Sequence, residues 1–327
     1  SLGDKRYPSF DELYKHWMKV FSANVLTEKF YKELFQWFQW AVDSKDILHF
    51  PGNLYPKENT IKYEERDTSI IRLITRLMFV WFIKQKGLVP SKIFDKEYLN
   101  TILKDFDPYS EKSSNYYSAI LQNLFFGTLN RPITEDGELR EFRSDSKSAD
   151  VKNLYRFSEL FSISKQEVIL LFSEVPFLNC GLFECQDKNP KMDRVSCNYY
   201  KDGFTTNSTL LNDGTYKNRA VVPNVFFFDT EKGLFSLFEK YVFTIEENTP
   251  QDVQVALDPE LLGKVFENLL GAYNPETKET ARNQSGSFYT PREIVQYMVN
   301  ESLVAHLKRT VGDKLEDKFR QLLDFTT

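Results

Sequence analysis

The chain has 327 residues, 41% hydrophobic and 27% charged, enough to bury a real core within one large or two ordinary domains. Its net charge of −5 argues against a surface that grips nucleic acid strongly by itself, because phosphate neutralisation supplies most non-specific affinity. Three cysteines without a CxxC pair and only three histidines argue against a disulfide framework or a zinc site; the most apolar stretch, Ile70 to Ile83, carries Arg72 and Arg76 and is too short for a bilayer, and with no signal peptide the chain reads as cytoplasmic.

Helices are predicted up to about residue 175. Phe10 to Phe21 and Thr27 to Val42 repeat aromatics at three- and four-residue spacing, the second through Phe30, Leu34, Trp37, Phe38 and Ala41. Asp67 to Lys86 gives the clearest helix. Asp67 or Thr68 caps it, and Ile70, Ile71, Ile74, Leu77, Met78, Trp81 and Phe82 form a wide apolar face, buried on most sides. Gly87 fits the C′ position and Pro90 prevents continuation. Ser114 to Leu129 and Ser164 to Phe172 predict two more helices. Thr134 to Asp150 reads as a polar loop, with Glu138, Arg140, Glu141 and Arg143 on a solvated face rather than in a functional cluster.

Pro176 to Pro250 has short apolar runs and turn signals. Asn212-Asp213-Gly214 predicts a hairpin turn between Tyr200–Leu211 and Tyr216–Val222, and Val225 to Phe228 a buried strand or extended packing segment. From Asp187 to Arg219, six basic residues (Lys188, Lys191, Arg194, Lys201, Lys217, Arg219) and Tyr199, Tyr200 and Tyr216 stand against four acids (Asp187, Asp193, Asp202, Asp213). That composition is compatible with nucleic-acid contact, but a plain surface hairpin accounts for so small an excess.

Helices return near the end. Asp258 and Pro259 start one that runs through Leu261, Leu262, Val265, Phe266, Leu269 and Leu270 to Gly271. After a polar loop, Thr290, Pro291 and Glu293 form a capping box. The helix end it fixes presents free N–H groups and a positive dipole end, with Phe288 and Tyr289 beside it. A ligand with a carboxylate and an aromatic or thioether body fits there; equally, the aromatics serve only as packing before a helix.

Leu257 to Leu270, Tyr273-Asn274-Pro275-Glu276-Thr277 and Gly286-Ser287-Phe288-Tyr289-Thr290-Pro291-Arg292-Glu293-Ile294-Val295 resemble the fused restriction–modification enzymes called type IIG, and BREX-type methyltransferases are similar here. Pro176 to Glu184, Arg76 to Phe82 and Phe243-Thr244-Ile245 resemble segments of the same families. The resemblance implies one polypeptide with endonuclease and N6-adenine methyltransferase parts acting on double-stranded DNA. It implies S-adenosylmethionine as cofactor, and Mg²⁺ for a nuclease part outside this chain. Gly286, Ser287, Phe288, Tyr289, Thr290 and Pro291 match motif X, which borders the cofactor: Gly286 lets the backbone approach, Phe288 and Tyr289 give apolar cover, and Thr290 caps the helix.

The departures carry equal weight. The acidic-Pro-x-x-Gly-x-Gly turn of this family is absent, and so is the catalytic Asn-Pro-Pro-Tyr/Phe that holds a flipped adenine; Asn189-Pro190 and Asn274-Pro275 are followed by Lys191 and Glu276. Glu276-Thr277-Lys278 with Asp258 has the spelling of a nuclease site but the wrong context, a cap and a polar loop. No residue of this chain is therefore expected to be catalytic. Ser1-Leu2-Gly3 lacks an initiator Met and the end stops where a strand could begin, so both ends read as cut. The expectation is a mainly α chain: a multi-helix connector over residues 1–255 with a small β-hairpin element in a β-rich insertion at about 176–250, then over 256–327 the first helices of a truncated α/β methyltransferase domain. A non-catalytic helical module that docks protein or DNA is the competing reading.

Overall fold

The computed structural model describes residues 28–51, 64–132, 140–143, 153–178, 181–187, 200–206, 218–243, 256–257, 292–312 and 316–324. The fold is mainly helical, as the sequence predicts. It divides into two compact units, Ser1–Asp258 and Pro259–Thr327. The predicted helices at Phe10 to Phe21 and after Asp258, and the turn at Asn212 to Gly214, lie outside the described residues.

In the first unit, α1 spans residues 28–43 and buries Phe30, Leu34, Trp37, Phe38 and Ala41, the stripe its spacing predicts. Helix α2, Glu64–Gln85, is buried through Ile70, Ile71, Leu73, Ile74, Leu77, Met78, Val80, Trp81 and Phe82. It begins before Asp67 and Thr68, so neither is its cap; acidic Asp67 sits near the positive dipole end instead. Its C-terminus is the predicted one. Gly87 has φ +71° and donates to Lys84 O, while Leu88 donates to Ile83 O, the paired bonds of a Schellman motif.

Helix α3 is Lys96–Ile102, capped by Asp95. The predicted helix near Ser114 to Leu129 is present but wound with π-type bonds over Tyr116–Leu121 and Asn123–Leu129, every residue of both runs buried. Asn123 anchors the wider winding: its side-chain amide donates to Ala119 O and Arg156 O and accepts from Arg156 N–H. Helix α4, Lys165–Leu171, carries a full capping box from Ser164 and Glu167.

Two predicted strands are corrected. Val225–Phe228 is a helical turn, α5, with all four side chains buried. A short apolar run hidden on every side has no period to separate strand from helix. Asn224 decides it by donating to Asp107 O and Asn115 Oδ1 while accepting from Tyr116 N–H. The described part of Tyr200–Leu211, residues 200–206, forms no strand because its N–H groups are drawn to a buried carboxylate described below. Among the described residues the sheet is a parallel pair, β1 Val242–Phe243 with β2 Ala256–Leu257; Val221 makes an isolated antiparallel bridge with His49.

Aromatic side chains fill the core. Trp81 stacks on Phe235 at 5.6 Å and meets Phe94 edge-on at 5.4 Å, joining α2 to α6, Leu234–Glu239. Tyr116 meets Phe228 edge-on at 4.7 Å, tying the π winding to α5. Each such pair contributes about 0.5–1.5 kcal/mol beyond its area.

The second unit has α7, Arg292–Val311, and α8, Glu316–Asp324. Arg320 bonds Glu301 at 2.6 Å and Glu316 at 3.0 Å, and Lys308 bonds Glu316 at 2.6 Å, so charged pairs join the two helices.

Candidate functional site

The predicted cofactor-side residues Gly286, Ser287, Phe288, Tyr289, Thr290 and Pro291 lie outside the described residues. The helix predicted behind them is present: α7 begins at Arg292 and runs for 20 residues. Its apolar side chains are not all covered, with Tyr297 66% and Met298 59% exposed and Ile294 and Val295 also open.

In the first unit, the structure joins two of the segments that carry the resemblance. Arg76, on α2, reaches the main chain of the Pro176 to Glu184 segment. Its Nε donates to Leu182 O at 2.8 Å and its Nη2 to Glu184 O at 3.0 Å, while Nη1 meets Asp202 Oδ1 at 2.7 Å. The planar guanidinium suits a three-sided task that a lysine could not share out. Asp202 is further engaged by Gln186 N–H at 2.6 Å, and Arg72 Nη1 stands 3.7 Å away.

A second carboxylate interlocks with the first. Asp187 accepts from the N–H groups of Asp202, Gly203 and Phe204 at 2.9, 3.1 and 2.9 Å. Successive N–H groups converging on one anion form a nest, and Gly203 supplies the left-handed residue it needs, φ +59°. Burial pushes the Asp187 carboxyl up, Asp202 adds to the shift, and the three N–H donors oppose it. Burial likewise pushes the Cys185 thiol up. Gln122 closes the set by donating to Asp202 O.

This junction is a clamp rather than a reaction centre. Asp187 is 3% and Asp202 2% exposed, and both spend their oxygens on internal donors. Cys185 is equally sealed from solvent. Among the described residues no group of His, Cys, Asp and Glu could hold a metal ion. Sequence reasoning used the charges of Arg72 and Arg76 to reject a membrane span, placed Arg76 at the start of a family-like segment, and counted Asp187 and Asp202 as surface charge. The signal available was a pair of arginines four apart inside the most apolar helix, where a charge needs a buried partner.

The described polar loop holds a second correction. Arg140, assigned by sequence to a solvated face, is 4% exposed and donates to Thr128 O at 3.1 Å, Val175 O at 2.6 Å and Phe172 O.

No family model matches the chain, and no solved structure matches it. It is 22% identical, over 95% of its length, to a Methanocaldococcus jannaschii protein named, provisionally, as a type II restriction enzyme and methyltransferase. The chain spans about a fifth of that relative, 22% of its length. No described helix is long and apolar enough to cross a membrane. The chain is thus similar, almost from end to end, to one portion of a restriction–modification protein.

Proposed function

We propose that the chain is the helical connector and cofactor-side opening of an S-adenosylmethionine-dependent adenine-N6 DNA methyltransferase, within a cytoplasmic restriction–modification enzyme of the type IIG kind, and that it is inactive alone. The carrying observation is similarity across 95% of the chain to a relative more than four times its matched portion. Two structural findings support it. The family-like segments around Arg76 and Leu182 are joined by direct hydrogen bonds. The open apolar side chains of α7 suit a helix that is covered within a larger domain.

On this reading the cofactor supplies the methyl group, and the residues of this chain hold and orient it. Gly286 admits its backbone-facing side, Phe288 and Tyr289 cover its apolar parts, and the start of α7 at Arg292 offers its dipole to the carboxylate. Double-stranded DNA is the substrate of the whole enzyme, and Mg²⁺ serves a nuclease part outside these residues.

The test is transfer of labelled methyl groups to DNA by the natural polypeptide that carries this sequence, beside its Tyr289→Ala and Pro291→Ala variants. Labelled N6-methyladenine that falls in both variants supports the proposal. A well-folded polypeptide that methylates no DNA across varied sequences overturns it in favour of a non-catalytic docking module.

A further inference from the structure

Beside its core stripe, α1 forms one wall of a cavity of about 480 Å³, through Glu33, Gln36, Trp37 and Trp40 at helical spacing. The facing wall is Glu231 and Lys232, in the turn after α5, with Leu237 and Lys240 of α6 and its end. Both walls are anchored from within the first unit. Trp37 Nε1 donates to Phe226 O at 3.0 Å, and the Trp40 ring packs on Phe226 at 4.4 Å. Asp229 Oδ1 accepts from the N–H groups of Glu231 and Lys232 at 2.9 and 2.7 Å, and Asp229 O accepts from Gly233 N–H and Ser236 Oγ. A ligand therefore meets walls that need little ordering on binding. The volume falls within the range of about 300–1,000 Å³ common to small-molecule sites.

The two ends of the cavity differ in chemistry. Glu33 and Trp40 stand seven residues apart, about 10 Å along the axis at a rise of about 1.5 Å per residue. At one end is the half-buried indole of Trp40. Lys232 Nζ lies 6.0 Å from its centroid, the outer limit of cation–π attraction. Glu231 and Lys232 are exposed and carry no ion pair among the described residues. At the other end Glu33 has Lys29 and Lys240 at 4.0 and 3.6 Å, too long for hydrogen bonds. Tyr241 is its third neighbour. Burial, and then Glu33, push that hydroxyl up, and neither Tyr241 Oη nor Glu33 Oε2 reaches hydrogen-bond geometry. An ionised carboxylate accepts about four hydrogen bonds, so Glu33 keeps acceptor capacity beside these neighbours. Glu33 and Glu231 balance Lys232 and Lys240, and the cavity lining has no net formal charge.

We propose that this cavity binds a free purine nucleoside bearing an exocyclic amine, with its base stacked on Trp40 and its ribose hydroxyls on Glu33. A bicyclic base matches the indole in area, and stacking on an aromatic side chain holds it without a partner strand. Glu231 accepts from the exocyclic amine, while Lys232 or Gln36 donates to a ring nitrogen. A ribose diol is a natural donor to a carboxylate, and the separation of Glu33 from Trp40 along α1 suits a base at one end and a sugar at the other. The balanced lining favours a neutral nucleoside over one that carries phosphates, which Glu33 and Glu231 would repel. The assignment stands apart from the methyltransferase reading and shares no residue with Gly286 to Pro291. Sequence reading placed Trp37 in the core stripe and left Trp40 out of it; the facing wall comes from a segment almost 200 residues away.

The test is equilibrium dialysis of the full chain against labelled adenosine and guanosine, with tryptophan emission followed in parallel. At least one of the two binds saturably and quenches part of the emission. Trp40→Leu weakens that binding by roughly tenfold, the loss of one base stack. The 2′-deoxy form of the same nucleoside binds roughly fivefold more weakly, having lost a hydroxyl that donates to a charged acceptor. Glu33→Gln narrows the gap between the two sugars, a change that a merely structural role for Glu33 would not produce. Lys45→Gln, outside the cavity, alters nothing. Thermal midpoints measured alongside establish that each variant is folded. Absence of saturable binding by both nucleosides overturns the proposal, as does binding that survives in folded Trp40→Leu. Equal affinity for the ribose and deoxyribose forms overturns the placement of the sugar on Glu33. A 5′-monophosphate that binds tenfold more tightly than its nucleoside overturns the neutral ligand and leaves a phosphate-bearing nucleotide in its place.

Discussion

Arg76 Nη1 lies 2.7 Å from Asp202 Oδ1, across a separation of 126 residues. Both side chains are nearly sealed from solvent, so the pair is worth far more broken than its net contribution suggests. Removing one partner strands the other charge, a loss of about 3–5 kcal/mol. Arg76→Met is expected to cost that much in urea unfolding, with the midpoint falling and the slope unchanged. Asp202→Leu added to it is expected to return part of the loss, since the carboxylate stranded by the first change is then removed. A double variant less stable than Arg76→Met by the full single cost of Asp202→Leu would deny the coupling.

That pair also marks where sequence reasoning ends. Helix α2, its terminating glycine and the helix from Ser164 to Phe172 were legible because each depends on residues within a few positions of one another. The run Val225–Phe228 was not, since its conformation is set by Asn224 reaching Asp107, Asn115 and Tyr116. Asp187 and Asp202 read as surface charge because their donors are main-chain N–H groups and an arginine far along the chain. The motif at Gly286 to Pro291 was legible by its spelling, while its geometry lies outside the described residues.

Arg140 follows the same logic with carbonyls in place of a carboxylate. Its guanidinium joins the end of the π-wound helix, through Thr128, to the turn after α4, through Phe172 and Val175. Arg140→Leu leaves buried carbonyls unmet at about 1–3 kcal/mol for each that water cannot reach. The expected result is a lower thermal midpoint and faster amide exchange over residues 172–175. Arg140→Lys should recover only part, having one donor centre for acceptors on separate segments. A change within 0.5 kcal/mol, roughly that of an ordinary surface position, would return this residue to the solvated face.

Gly127 lies against the Tyr155 ring so closely that a Cβ there would fall inside the ring's van der Waals surface. Tyr155 cannot swing away without losing its 3.0 Å contact with Thr128 Oγ1. Gly127→Ala is therefore expected to destabilise the first unit by about 1–3 kcal/mol through overpacking. Ala normally favours a helix over Gly, so the sign of the effect separates the two influences. A stabilised Gly127→Ala variant would show that the ring has room to move.

The second unit supplies a dependence on pH. Hydrogen bonding from Arg320 holds the Glu301 carboxyl below its ordinary value, and bonds first from Lys308 and then Arg320 do the same for Glu316. A carboxylate lowered by folding binds fewer protons in the native state than in the unfolded one. Its support is complete above the ordinary carboxylate value of about 4.3 and drains away as pH falls through the lowered native value. Amide protection over Glu316–Asp324 should thus stay level from neutral pH to about 5 and decline below about 4. Both side chains face water, so high salt should flatten the same profile by screening the pairs. Glu301→Gln should remove part of the decline, because its share of the linkage no longer titrates. Protection that is flat to pH values well below 4, or indifferent to salt, would mean that packing between α7 and α8 holds them and the charged pairs add nothing.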